Sequence, residues 1–75
     1  MKFEIEWINI GRSNFSHKEI LIFKSLKKAE FHAYNVADHK LMSSNTYLEY
    51  IKEQKCYYIF SGVRNVGKII IRKVK

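Results

Sequence analysis

An α+β fold, with a single antiparallel sheet of about five strands and one helix packed on one face in the order ββαβββ, is predicted by three features of the sequence. Strict alternation of apolar and charged residues opens the chain. A helical stripe rich in alanine occupies its middle, and three runs dominated by Tyr, Ile, Phe and Val close it. With 75 residues the chain has material for one core, because a domain of this size buries only roughly 60% of its unfolded surface. Residues 1–75 are therefore read as a single small domain.

Residues 2–10 alternate strictly from Lys2 to Trp7, which places Phe3, Ile5 and Trp7 on one face and Glu4 and Glu6 on the other. That is the signature of a half-buried strand. Gly11-Arg12-Ser13-Asn14-Phe15-Ser16 carries turn chemistry, and the run from Lys18 to Lys24 supplies the second strand of an antiparallel hairpin. Ser25 is suited to an N-cap. From there the period becomes helical, with Leu26, Ala29, Ala33, Val36, Ala37 and Leu41 on one stripe, so a helix is predicted from Leu26 to Lys40. Its three alanines permit close approach to a sheet. Met42-Ser43-Ser44-Asn45 then breaks the pattern.

Thr46 to Lys52, Cys56 to Gly62 and Lys68 to Val74 read as a three-stranded meander. For residues 46–53 a second helix capped by Ser44 or Asn45 is the competing assignment. The chain has no proline, repeat or low-complexity tract, and its hairpin-then-helix opening is generic supersecondary structure that singles out no family.

The residues are 47% hydrophobic and 15% aromatic, enough for a core without disulfides or metal. Cys56, the one cysteine, lies in the apolar run Cys56-Tyr57-Tyr58-Ile59-Phe60 and reads as a reduced, buried small hydrophobe, which fits the cytoplasm. Glu4 and Glu6 follow the N-terminus at once and no apolar run approaches a bilayer span, so no membrane association is expected.

The formal charge of +7 has two explanations. A small cationic surface attracts nucleic acid or an acidic partner before specific contacts form. Alternatively, Lys, Ile, Asn, Phe, Tyr and Met fill 38 of the 75 positions, a bias that AT-rich codon usage produces without selection for any partner.

Motifs for catalysis fail on inspection. Gly62-Val63-Arg64-Asn65-Val66-Gly67-Lys68 matches the glycine and lysine spacing of a phosphate loop, but Ile69 stands where magnesium needs a hydroxyl and the following residues form a strand rather than a helix. A hairpin turn with Asn65 and Gly67 at positive φ is the simpler reading. His32 and His39 are seven residues apart on the helix, about 10 Å by helical rise, too far to share an ion. His17 falls in the turn, and all three histidines read as solvated. Glu4 and Glu6, about 7 Å apart along one strand face, are read as a solvated surface. No catalytic residue, metal or cofactor is expected.

The last 22 residues carry Lys55, Arg64, Lys68, Arg72, Lys73 and Lys75 with no acid. If Ile69 and Ile71 face the helix, Lys68, Ile70, Arg72 and Val74 face outward, with Tyr57 or Tyr58 near them. The leading expectation is a non-enzymatic binding module whose basic sheet face, built from Arg64, Lys68, Arg72, Lys73, Tyr57 and Tyr58, contacts nucleic acid or a nucleoprotein. The competing description of that face is a Lys-rich solvated surface.

The alternative comes from the helix, where Phe31 falls off the apolar stripe among Lys27, Lys28 and Asn35. It is either an exposed contact or a boundary residue under the 43–46 loop. On this alternative the chain is a small phage or mobile-element protein that inhibits a host protein of defence or transcription through the Phe31 face or an edge strand. Edge pairing also makes a homodimer conceivable. A structural subunit of a larger assembly is the third possibility.

Overall fold

The computed structural model describes residues 1–42 and 45–75. Five strands and one helix follow in the order β1 (Lys2–Ile10), β2 (Phe15–Ile22), α1 (Leu26–Leu41), β3 (Thr46–Ile51), β4 (Cys56–Ser61) and β5 (Arg64–Val74). The strands form one antiparallel sheet in the order β2-β1-β5-β4-β3, so β2 and β3 are the edges. This is the predicted α+β architecture, and the first run of the meander is a strand rather than a helix.

The alternation in β1 decides which face is covered. Phe3, Ile5 and Trp7 point at α1 and are buried, and the alanine stripe Ala29, Ala33 and Ala37 settles onto them with no exposure of its own. Methyl side chains allow the helix axis to come close, so that the Trp7 indole N–H reaches the Ala33 carbonyl oxygen at 3.0 Å. Trp7 is 1% exposed, and burying a side chain of this kind stabilises by about 1.5–3 kcal/mol. Ile59 and Ile69 extend the core beneath the helix.

The helix starts as its sequence demands. Ser25 Oγ accepts the Lys28 amide N–H at 3.3 Å, the bond of an N-cap serine. At the other end Met42 takes a left-handed conformation, φ 53°, and donates its amide to the Asp38 carbonyl at 3.0 Å. Ser43 and Ser44, where the sequence also predicts a break, lie outside the described residues.

Two strand starts differ from expectation by three residues or more. β2 begins at Phe15, so His17 sits on a strand and not in a turn. The Phe15 ring packs beside Trp7 at 6.3 Å and beneath the Lys40 ammonium at 4.7 Å, which gives this residue a place in the core and draws the strand toward the turn. The β4–β5 turn is Gly62-Val63, with Gly62 at φ 64°, and β5 begins at Arg64. Asn65 is thus a strand residue, whose side chain accepts the Gly67 amide at 3.0 Å.

Two β-bulges shape the end of the sheet near these turns. Between Trp7 and Ile10, β1 carries one residue more than β2, and Asn9 absorbs it at φ 51°. The shift turns Ile10 back into the core, where it is fully buried. In β5 the partners of Ile59 and Phe60 are Gly67 and Asn65, leaving Val66 as the extra residue. The two bulges are joined by the Gly11 amide, which donates to the Val66 carbonyl at 2.8 Å.

Gly67 owes its identity to this packing and not to phosphate. A Cβ there would clash with the Ile10 side chain and lie 3.1 Å from the Ile10 Cα. Replacing Gly67 with Ala is expected to destabilise the fold by about 1–3 kcal/mol, read as a fall in the urea midpoint with the slope unchanged; an unaltered midpoint contradicts the account of the bulge.

Candidate nucleic-acid interface

The β1–β2 turn, the C-terminal end of α1 and the β4–β5 hairpin meet at the end of the sheet that carries both bulges. An open cleft of about 820 Å³ lies there. Among the described residues its walls contain Arg12 from the first turn, Lys40 from the helix, and Arg64 and Lys68 from β5, with no Asp or Glu. Asn9, Ser13, Ser61 and Asn65 add neutral polar groups, and Tyr58 forms part of one side. The helix C-terminus brings partial negative charge to this end, which Lys40 in its last turn offsets. Four cations around a concave surface with no carboxylate concentrate positive potential more than the same charges spread over a flat face.

The register assigns each predicted residue. Ile69 and Ile71 point toward the helix side, so Lys68, Ile70, Arg72 and Val74 face the open side of the sheet. Tyr58 lies directly across from Lys68, which selects it over Tyr57 as the neighbouring aromatic. Its hydroxyl donates to Gln54 Oε1 at 2.6 Å, steadying the ring. Lys68, Arg64 and Tyr58 therefore belong to the cleft.

The other three residues do not join them. Tyr57 faces the helix, is 8% exposed, and donates its hydroxyl to Glu30. Lys73 pairs with Phe3 and so points to the helix side of the sheet. Arg72 shares the open face, but its Nη1 lies 2.6 Å from Glu4 Oε1 and 3.2 Å from Glu6 Oε1, so its charge is matched within the protein. The two glutamates expected to be solvated instead bracket this arginine.

Arg12 and Lys40 escaped the sequence reading because they come from segments 28 residues apart, one read as turn chemistry and the other as a helix end. The density of cations in the last 22 residues drew attention to one wall only. On the helix, Phe31 is 66% exposed and Lys27, Lys28 and Asn35 are exposed. Two residues of the 43–46 loop that was to cover Phe31 lie outside the described residues.

His17 and His32 are better packed than their sequence positions suggest, while His39 is exposed as expected. His17 stacks on Trp7 with ring centroids 5.8 Å apart, and His32 lies against Phe23 at 5.3 Å. Glu19 stands between them, 3.5 Å from His17 Nε2 and 4.0 Å from His32 Nε2. Among the described residues no three His, Cys, Asp or Glu side chains are grouped to hold a metal ion, and no helix is long and apolar enough to cross a membrane.

No protein-family model matches the chain, and no curated protein or solved structure matches it either.

Burial pushes the Tyr57 phenol above the ordinary tyrosine range, and its hydrogen bond to Glu30 adds to the shift. The folded state keeps this proton after the unfolded chain, titrating near about pH 10, has lost it. The stabilisation is complete below that pH and is lost as pH rises above it. Wild type is expected to lose stability relative to Tyr57→Phe between neutral pH and the alkaline range, measured by urea unfolding at a series of pH values. A difference that stays constant with pH contradicts the assignment.

Proposed function

We propose that the protein is a non-enzymatic binding module that holds the phosphate backbone of a nucleic acid in the cleft formed by Arg12, Lys40, Arg64 and Lys68. The observation that carries this reading is the composition of the cleft: four cations from three separate segments converge on a concavity with no carboxylate in its described lining. Phosphate contacts of this kind dominate nucleic-acid affinity and do not require catalytic groups. The neutral donors of Asn9, Ser13 and Asn65 suit phosphate oxygens as well. Arg72 contributes little to this attraction, because Glu4 and Glu6 already balance it.

A second reading rests on Phe31. Its exposed ring among Lys27, Lys28 and Asn35 suits a contact with a host protein.

Fluorescence anisotropy of labelled oligonucleotides separates the two. On the first reading binding persists near physiological salt and weakens with log salt at a slope of about −2 to −3, as expected for three or four neutralised phosphates on a single strand. Lys68→Gln and Arg12→Gln each reduce affinity, Arg72→Gln has the smaller effect, and Phe31→Ala has none. No binding, or equal losses from Lys68→Gln and Arg72→Gln, contradicts the cleft as the phosphate site and returns the search to the Phe31 face.

A further inference from the structure

The cleft does not end at its cations. Tyr58 forms part of its wall and also stands on the open face of the sheet, the face that α1 leaves uncovered. Two residues further along β4, Phe60 points to the same side. Tyr47 of edge strand β3 pairs with Phe60 in register, and their rings stack with centroids 5.4 Å apart and planes 17° from parallel. The Tyr58 and Phe60 centroids are 6.5 Å apart. Three aromatic rings thus run from the cationic cleft to the edge of the sheet, and the outermost, Tyr47, is 47% exposed.

Resting on the reading of the cleft as a phosphate site, we propose that its ligand is single-stranded nucleic acid, with the backbone held by Arg12, Arg64 and Lys68 and bases stacked along Tyr58, Phe60 and Tyr47. A duplex keeps its base faces stacked on one another, so it has none to offer these rings. A single strand exposes a base face at every nucleotide, and a cationic groove beside aromatic platforms is what sequence-tolerant recognition of such a strand requires. Charge complementarity selects this occupant over an apolar one, since the row of rings begins at Tyr58, which lines the cleft directly across from Lys68. Glu49, across from Tyr58 on β3, places a carboxylate beside the row. It stands outside the cleft, on the far side of Tyr58 from Lys68, and so favours the backbone on the Lys68 side with the bases toward β3.

The test compares three ligands by anisotropy near physiological salt: an oligothymidylate of about twelve nucleotides, an abasic strand of equal length, and a duplex of equal length. The expected result is that the base-bearing strand binds at least about 10-fold more tightly than the abasic strand, as stacking of one or two bases implies, and more tightly than the duplex. Tyr47→Ala and Phe60→Leu then reduce that advantage about 5-fold or more while leaving abasic binding within about 2-fold. Phe60→Leu retains apolar volume and Tyr47 is largely exposed, so both variants are expected to fold, which circular dichroism confirms before binding is measured. Equal affinity for abasic and base-bearing strands, tighter binding to the duplex, or indifference to both substitutions overturns the single-strand inference while the phosphate cleft stands. If none of the three ligands binds, the phosphate reading falls with it.

Discussion

The close contact between the alanine stripe of α1 and the Phe3, Ile5 and Trp7 face of β1 is the interaction on which the rest of the molecule depends. Three methyl groups let the helix sit low enough for the Trp7 indole to hydrogen-bond the Ala33 carbonyl, and that depth seals Ile5, Ile59 and Ile69 from water. A larger residue at Ala33 would lift the helix from the sheet and expose the same core. One helix of this length covers one face of a five-stranded sheet, so the opposite face has to be stable in water. It manages this with Arg72 between Glu4 and Glu6 at one end and with aromatic rings packed on one another at the other.

That division of the open face leaves four of the fourteen basic residues around one cleft. Where β1 and β5 run in register, acids and Arg72 balance. Where the two bulges interrupt the register, cations from three segments converge on a cleft with no carboxylate in its described lining. The bulges tie sequence-distant turns together through the Gly11 to Val66 hydrogen bond, and Arg12 and Arg64 from those turns line the same cleft. Bulges are common beside functional sites because they re-aim side chains that a regular ladder would disperse.

The architecture was largely legible in the sequence because its elements obey local rules. Alternation identified β1, Ser25 marked the start of the helix, and the alanine spacing named the buried stripe. The outward orientation of Lys68 and Arg72 followed from pairing Ile69 with Ile71. What escaped was everything dictated by irregular backbone or by tertiary pairing. A bulge at Val66 looks like a glycine-flanked turn, so the sequence places the start of β5 at Lys68, four residues after its actual start at Arg64. Phe15 joins β2 because it packs on Trp7, which no local pattern announces. Lys73 and Tyr57 were grouped with the basic face by proximity in sequence, yet strand alternation turns both to the helix side. Half of the cationic cleft, Arg12 and Lys40, became visible only when the turn and the helix end were brought beside β5.

The central claim is that the cleft, and not the helix face, is where a partner binds. The measurement that tests it most directly is amide chemical-shift mapping of the isotopically labelled protein during titration with an oligonucleotide. The account predicts that shifts concentrate at Asn9 to Ser13, Lys40, Tyr58 and Arg64 to Lys68, and that Lys27, Lys28, Phe31 and Asn35 stay unmoved. Shifts confined to the Phe31 face or to the β2 edge, with the cleft silent, would contradict it.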